Sequence, residues 1–312
     1  MHPFEAKIAQ ARHITVIAHV RPDADSLGSA SAFYSYLLQL QKKVSFFCAT
    51  SIESKYLFIP WVDKICHIFP KSSDLCISFD CGSFERMGLE PSFEVEVINF
   101  DHHKSNTDYG DVNRVDETAI STTQAVYDYL KYMQVKINPK MATAMYAGLL
   151  DDSRGFLSEK TNPRTFATAY DLIQKKADAK SVVRHLFETV SLSELRVKGM
   201  IFSNLRLECN GQLAVIAVDE QMLAASGALC SMCENALEET LYLPTVEVSV
   251  LLCDLRDGSF KGSFRSKGRF DASELATKYG GGGHHHAAGF HYKSDTIDAA
   301  MQRIILDFKE LV

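Results

Sequence analysis

The tripeptide Asp101-His102-His103 closes an apolar run, Val95-Glu96-Val97-Ile98-Asn99-Phe100. One carboxylate and two imidazoles delivered at the end of a buried strand gather hard oxygen and borderline nitrogen donors at one point. That set suits divalent manganese, iron or zinc. Taken alone, the triplet also fits a polar loop with one satisfied histidine. The same donor types recur elsewhere, however. His19-Val20-Arg21-Pro22-Asp23-Ala24-Asp25-Ser26 crowds two aspartates beside a histidine, the apolar run from Leu75 ends on Asp80, and Met141 to Leu150 runs into Asp151-Asp152-Ser153. Each has a plainer reading as a helix cap, a turn or a helix end. Adjacent carboxylates such as Asp151 and Asp152 repel, so a nearby cation would help keep both ionised.

These groups need elements that place them together. Residues 14–19, 44–49, 75–80 and 95–101 read as strands, and residues 26–41 carry helical spacing through Leu27, Ala30, Phe33, Tyr34, Leu37 and Leu38. Ser26 or Asp25 is placed to cap that helix. Continuous apolar strands alternating with helices predict an α/β domain, a parallel sheet covered by helices on both faces, and such sheets bind ligands beyond the carboxyl ends of their strands. The candidate donors all fall there. Further helices are expected over 141–150, 163–175, 181–188 and 193–207. A smaller α/β domain follows, with strands over 213–218, 246–252 and 259–264 and helices over 222–237, 272–279 and 296–311. The expected division is a catalytic domain over 1–190, a connecting helix over 191–210 and a second domain over 211–312.

Composition narrows the class. The chain has 312 residues, 46% hydrophobic and 23% charged, as in a water-soluble globular protein. No run approaches the roughly 20 apolar residues that span a bilayer, and residues 1–7 lack the apolar core of a signal peptide, so no membrane association and a cytoplasmic location are expected. The cysteines lie mostly in apolar runs where a free thiol packs as a small hydrophobe, and Cys230-x-x-Cys233 has no second pair with which to build a zinc site. A net charge of −6 disfavours a track for long nucleic acid.

In sequence order, His19-x-x-Pro22-Asp23-x-Asp25-x-x-Gly28-Ser29, Asp80, Asp101-His102-His103 and Gly148-Leu-Leu-Asp-Asp152-Ser resemble the four motifs of the DHH phosphoesterases. Ser263-Phe-Arg265-Ser266 and Gly280-Gly-Gly-Gly283-His284-His-His-Ala287-Ala288-Gly289 resemble the signature of the DHHA1 domain that completes one branch of that family. The resemblance implies a DHH domain that holds two divalent metal ions, with manganese expected. His19, Asp23 and Asp80 would hold one, and Asp25, Asp80, His102 and Asp152 the other, with Asp80 shared. It further implies that His103 faces the substrate phosphate and that Asp101 stands behind the histidines. Where the family usually has Thr-Asp-Thr-Gly this chain has Asp151-Asp152-Ser153-Arg154, which leaves the choice of aspartate open and brings an extra guanidinium, Arg154, to the catalytic group.

Two ions about 3.5–4 Å apart activate water and stabilise the entering and leaving oxygens of an in-line attack on phosphorus. The expected reaction is therefore hydrolytic phosphoryl transfer. In the second domain, glycine amides and an Arg fork can enclose an anion. The resemblance assigns substrate binding to Arg265, Ser266, Gly282, Gly283 and His284, and no role to His285 or His286. Metals on one domain and an anion clamp on the other imply a cleft for a small substrate. The branch of the family with this domain pattern removes mononucleotides from very short oligonucleotides and converts 3′-phosphoadenosine 5′-phosphate to AMP. Cyclic or linear dinucleotide hydrolysis, polyphosphate hydrolysis and a silent nucleotide-binding module remain alternatives, and a homodimer is compatible with the sequence.

Overall fold

The computed structural model of this chain describes residues 3–90, 94–255 and 257–312; residues 1 and 2 of the opening stretch lie outside them. The chain divides into two compact units, Met1–Thr189 and Val190–Val312. The first contains α1 (Pro3–Gln10), β1 (His13–Ala18), α2 (Ala24–Gln39), β2 (Lys43–Phe47), β3 (Ile65–Cys66), β4 (Leu75–Phe79), β5 (Val97–Asp101), β6 (Val112–Val115), α3 (Thr122–Tyr132), α4 (Pro139–Asp152), α5 (Pro163–Gln174) and α6 (Ala179–Phe187). Its strands form a six-stranded sheet in the order β3-β2-β1-β4-β5-β6. All the pairings are parallel. The strand order reverses between β1 and β4, which is where such sheets offer a crevice.

Alternation along the strands separates the two faces. Val16, Ile77, Phe79, Ile98 and Phe100 join α1, α2 and α3 in the main core. Phe33 on α2 sits at its centre, with ring centroids 5.3 Å from Phe79, 5.4 Å from Phe100 and 5.9 Å from Tyr129. Ile17, Phe47, Cys76 and Val97 face the other way, covered by Met87 of the 3₁₀ helix Phe84–Met87 and by Phe69, Phe84, Leu89, Val95 and Tyr109. Strands β1, β2, β4 and β5 fall within a few residues of the runs that predict them. The short helix α1, edge strand β6 and helix α3 have no counterpart in the sequence reading.

The second unit contains α7 (Leu192–Ser203), β7 (Arg206–Glu208), β8 (Leu213–Val218), α8 (Glu220–Ser226), α9 (Glu234–Thr240), β9 (Val248–Asp254), β10 (Ser259–Ser266), α10 (Ala272–Thr277), β11 (Gly282–His284), β12 (Ala287–Lys293) and α11 (Ile297–Lys309). The sheet order is β11-β12-β10-β9-β8-β7. Only β8 and β9 pair in parallel; the other pairings are antiparallel. Helices α10 and α11 pack on one face, and α7, α8 and α9 on the other.

Several expectations need correction here. The connecting helix belongs to the second unit and stops at Ser203, so residues 206–208 form a strand instead. The helix expected over 222–237 is broken, because Gly227 takes a left-handed conformation (φ 68°) that caps α8. Cys230 and Cys253 are not free thiols but are joined in a disulfide, while Cys233 is a buried free thiol. Among the described residues no helix is long and apolar enough to cross a membrane.

Helices α2 and α4 cross so closely that two glycines are required. A Cβ on Gly28 would lie 2.3 Å from the Ala144 carbonyl oxygen, and one on Gly148 would lie 2.5 Å from Thr123 Cγ2 and 2.6 Å from Asp25 Oδ1. Replacing Gly148 by alanine improves helix propensity by about 1 kcal/mol, whereas overpacking costs about 1–3 kcal/mol. Gly148→Ala is therefore expected to lower the unfolding free energy and also to weaken divalent-cation binding, since Asp25 must move. Denaturant unfolding and a cation titration check the pair; a stabilised variant with unchanged cation affinity contradicts it.

Candidate metal centre

The carboxyl ends of β1, β4 and β5 deliver the first donors. His19 follows β1, Asp80 follows β4, and Asp101-His102-His103 ends β5. Asp23 caps α2, its Oδ1 accepting from the Ser26 amide at 2.9 Å, so the cap is Asp23 and not Ser26 or Asp25. The Ser26 hydroxyl accepts from the His19 amide at 3.0 Å and donates to the Phe79 carbonyl at 3.0 Å, which ties β1, α2 and β4 together beneath the site.

Three donor groups result among the described residues, and one of them, Asp80-His102-His103, overlaps the other two. Ligand atoms of His19, Asp23 and Asp80 lie within 4.8 Å of one another, and so do those of Asp25, His102 and Asp152. Asp80 stands between them: its Oδ2 is 3.3 Å from His19 Nε2, and its Oδ1 is 3.6 Å from His102 Nε2 and 3.5 Å from His103 Nδ1. Asp152 Oδ2 lies 3.2 Å from His102 Nε2. Asp151 is turned elsewhere, its Oδ2 accepting from the Ala24 amide at 3.1 Å. It holds the start of α2, and it is Asp152 that joins the cluster.

The donor chemistry fits a cation. His19 Nδ1 lies 3.0 Å from the Val20 carbonyl, an arrangement that keeps the proton on Nδ1 and turns the Nε2 lone pair toward Asp23 and Asp80. That Nε2 is buried, and its nearest acceptors are Asp80 Oδ2 at 3.3 Å and Asp23 Oδ2 at 3.5 Å. His102 repeats the arrangement more loosely, with Nδ1 3.4 Å from the Ala119 carbonyl. Without a cation the cluster must hold protons. Burial opposes charge on His19, but hydrogen bonds and charge from Asp23 and Asp80 outweigh it and raise its pKa to about 10. His102, also opposed by burial, is raised to about 10 by Asp152, Asp25 and Asp80. Burial, then the charges of Asp80 and Asp23, push Asp152 up to about 6. Asp25 is pushed well above the carboxylate range by burial and by Asp152 and Asp80.

Two groups that hold this cluster have no strong sequence signal. The first turn of α3 grips Asp25: the Thr122 amide donates to Oδ2 at 2.6 Å and the Thr123 amide to Oδ1 at 2.8 Å. The Thr122 hydroxyl donates to Asp80 Oδ1 at 2.8 Å. An anion at a helix N-terminus is favoured by the exposed amides and the macrodipole. Ser121, the cap of α3, is the one local clue.

Asp101 is fully buried and accepts from the His102 amide at 2.8 Å, from His103 Nδ1 at 2.7 Å and from Asn106. It therefore stands behind His103 rather than behind the His102 ring. Burial raises its pKa, yet these contacts outweigh it and hold the carboxyl below its ordinary value. His103 is raised in turn, first by Asp101. With Nδ1 committed, Nε2 of this half-exposed ring is the nitrogen left for a ligand. Arg154 lies exposed in the turn after α4 with left-handed backbone (φ 53°).

In the second unit the expected substrate residues divide. A cavity of about 400 Å³ is lined by Arg265, Gly282 and Gly283, together with Glu234, Lys261, Ser263 and residues 287–289. Ser266 is not brought to it; its hydroxyl donates to the Phe270 carbonyl at 2.6 Å and accepts from the Gly268 amide. His284 is exposed at the end of β11. The glycine run is not a free loop but an edge hairpin in which Gly282 pairs with Gly289 and His284 with Ala287. His285 lies 3.0 Å from Asp271 and 2.9 Å from the Gly268 carbonyl, and His286 lies 3.1 Å from the Ser266 carbonyl. Both fasten the hairpin to the 266–271 turn. Glu234 is the residue that sequence reasoning missed.

The family model described as the DHH family, N-terminal domain, matches residues 13–149, and that of the DHHA1 domain matches residues 210–310. The chain is 29% identical to the bifunctional oligoribonuclease and PAP phosphatase NrnA of Bacillus subtilis (strain 168), over 94% of this chain and 92% of that one. It is 27% identical to the protein of the same name from Thermus thermophilus, over 95% and 89%. A solved exopolyphosphatase-related protein from Bacteroides fragilis superposes with a TM-score of 0.89 at 22% identity, covering 99% of this chain and 96% of that one, a likeness of fold.

Asp80→Asn keeps the size of the side chain while removing the charge shared by both groups. It is expected to lower the bound-cation count measured by elemental analysis while circular dichroism stays unchanged; a full complement in the variant would refute the shared role. A second expectation concerns pH. His19 and His102 are protonated at neutral pH when cation-free and must be neutral to bind one, so uptake releases protons and affinity rises with pH. Calorimetry in buffers of different ionisation enthalpy between pH 6 and 8.5 reads the proton release. Zero release would be inconsistent with the assigned ligands.

Proposed function

Because this chain belongs to the DHH/DHHA1 phosphoesterase family, we propose that it hydrolyses very short oligonucleotides to mononucleotides and 3′-phosphoadenosine 5′-phosphate to AMP. The observation that carries this reading is the pair of donor groups, His19-Asp23-Asp80 and Asp25-His102-Asp152, adjoining at Asp80. The relatives that share the name cited above align along nearly their whole length, which supports the substrate class. The acidic chain is poorly suited to a long polyanionic strand.

His19, Asp23 and Asp80 would hold one divalent ion, and Asp25, Asp80, His102 and Asp152 a second, with manganese matched to this oxygen-rich donor set. Such ions supply Lewis-acid charge to water and to phosphoryl oxygens. The chain's own groups orient the reaction. Asp101 fixes the His103 ring and favours its charged form, so that Nε2 can donate to a phosphoryl oxygen. Arg154 would add a second positive charge from the turn beyond Asp152. In the second unit, Arg265 supplies a fork for the nucleotide's phosphate, with Gly282 and Gly283 letting the ligand approach the backbone.

A polyphosphatase reading is disfavoured by the cavity beside Arg265. Glu234 lines it and Glu238 lies 3.5 Å from Arg265 Nε, so carboxylates meet a chain of phosphates there. The manganese-loaded protein is expected to hydrolyse dinucleotides and 3′-phosphoadenosine 5′-phosphate, to lose this activity on chelation, and to leave polyphosphate intact. Arg265→Ala should bind manganese normally and lose about tenfold to a hundredfold in kcat/KM on dinucleotides, the effect of one charge-assisted hydrogen bond. Polyphosphate turnover exceeding dinucleotide turnover would overturn the reading.

A further inference from the structure

The cavity of the second unit is not a simple anion clamp. Lys261, Ser263 and Arg265 alternate along β10 and therefore share one face, and all three converge on Glu234 at the start of α9. Lys261 Nζ and the Ser263 hydroxyl both donate to Glu234 Oε1 at 2.9 Å. Arg265 Nη2 reaches Oε2 at a longer 3.4 Å, and its Nε lies 3.5 Å from Glu238. Two cations thus face two carboxylates. A site built only to attract phosphate would not place two acids on the same guanidinium, because each lowers the local potential that the anion is meant to feel.

The distribution of bonds shows what the acid is free to do. Oε1 is filled by two short bonds, which locks the carboxylate in place. Oε2 receives only the long Arg265 contact among the described residues, so it retains acceptor capacity beside that guanidinium. A ligand entering the cavity meets a fork of donors and, next to it, a charged acceptor. The complementary ligand carries an anion with a hydroxyl donor close by. In a nucleotide the sugar is bonded directly to the phosphate, so a group beside the phosphate's arginine meets sugar hydroxyls before it meets the base. Glu234 is 24% exposed in the free protein, and a ligand that covers it without supplying the matching donor leaves the acceptor unpaired.

Resting on the oligonucleotide reading above, we propose that Glu234 is a specificity-determining residue that accepts a hydrogen bond from the ribose 2′-hydroxyl and makes this pocket select ribonucleotides over deoxyribonucleotides. Lys261 and Ser263 are its positioning residues. They hold the carboxylate without contacting the sugar.

The test compares the full-length, manganese-loaded protein on adenylyl-adenosine and on its deoxy counterpart. Wild type should favour the ribonucleotide in kcat/KM by roughly tenfold to a hundredfold, the effect of one hydrogen bond to a charged group. Glu234→Gln, which keeps an uncharged acceptor, should shrink that ratio, and Glu234→Ala should bring it close to one. A general structural disturbance would lower both rates and leave the ratio standing. Calorimetric binding of AMP and 2′-deoxy-AMP reads the same discrimination without turnover. A wild-type ratio near one, or a ratio that survives in both variants, overturns the proposal while leaving the phosphoesterase reading intact. Failure of wild type to cleave either dinucleotide sinks that reading instead, and the binding comparison still decides the role of Glu234.

Discussion

Gathering Asp23, Asp25, Asp80 and Asp152 around one site, with Asp25 and Asp80 buried, is electrostatically costly, and much of the first unit serves to offset that cost. Like charges in a low-dielectric site favour protonation over ionisation unless positive charge is supplied. The chain supplies part of it through fixed dipoles, with the first amides of α3 on Asp25 and the start of α2 on Asp23. The remainder falls to His19 and His102, which hold protons when cation-free and would be neutral ligands to a bound cation. This explains why most of the donors come from strand ends and helix starts, Asp152 at the end of α4 being the exception. A parallel sheet collects its strand termini on one edge, and the helices that follow point their amide ends at the same place.

The same economy appears in the second unit, where opposite charges are interleaved instead of segregated. Lys261, Ser263 and Arg265 are presented by one strand, and Glu234 and Glu238 by one helix. Arg265 is thereby held in a defined orientation before any ligand arrives, which reduces the entropy lost on binding. The histidines next to the glycine run serve this pocket at one remove. By fastening the hairpin to the 266–271 turn, they fix the wall that carries Gly282 and Gly283.

Much of the first unit was legible from residue patterns, because buried parallel strands are short apolar runs and the donors terminate them. Asp101, His102 and His103 could be placed at the end of β5 on that ground alone. What was not legible depends on tertiary contact. The grip of α3 on Asp25 uses backbone amides, which every sequence has. Ser266 looks like a ligand-binding hydroxyl beside Arg265, and only the fold shows it spent on the Phe270 carbonyl. Glu234 is unremarkable in a stretch read as one continuous helix, and the break at Gly227 is what lets a new helix start there. The glycine run reads from the sequence as a loop whose amides enclose an anion. Here close approach of the neighbouring strand requires glycine, since a Cβ on Gly283 would lie 2.5 Å from the Ala287 carbonyl oxygen.

Asp80 carries a further consequence in its backbone. It adopts φ 61°, a left-handed conformation immediately after β4. Glycine and, among residues with side chains, aspartate and asparagine visit that region readily, whereas others pay about 1–2 kcal/mol. The position is therefore restricted twice, once by the need for a short anionic arm and once by the turn of the chain. Glutamate meets the charge requirement but neither the reach nor the backbone, and glycine meets the backbone alone. Among the common amino acids aspartate alone satisfies both, so the chemistry at this point is written into the main chain as much as into the side chain.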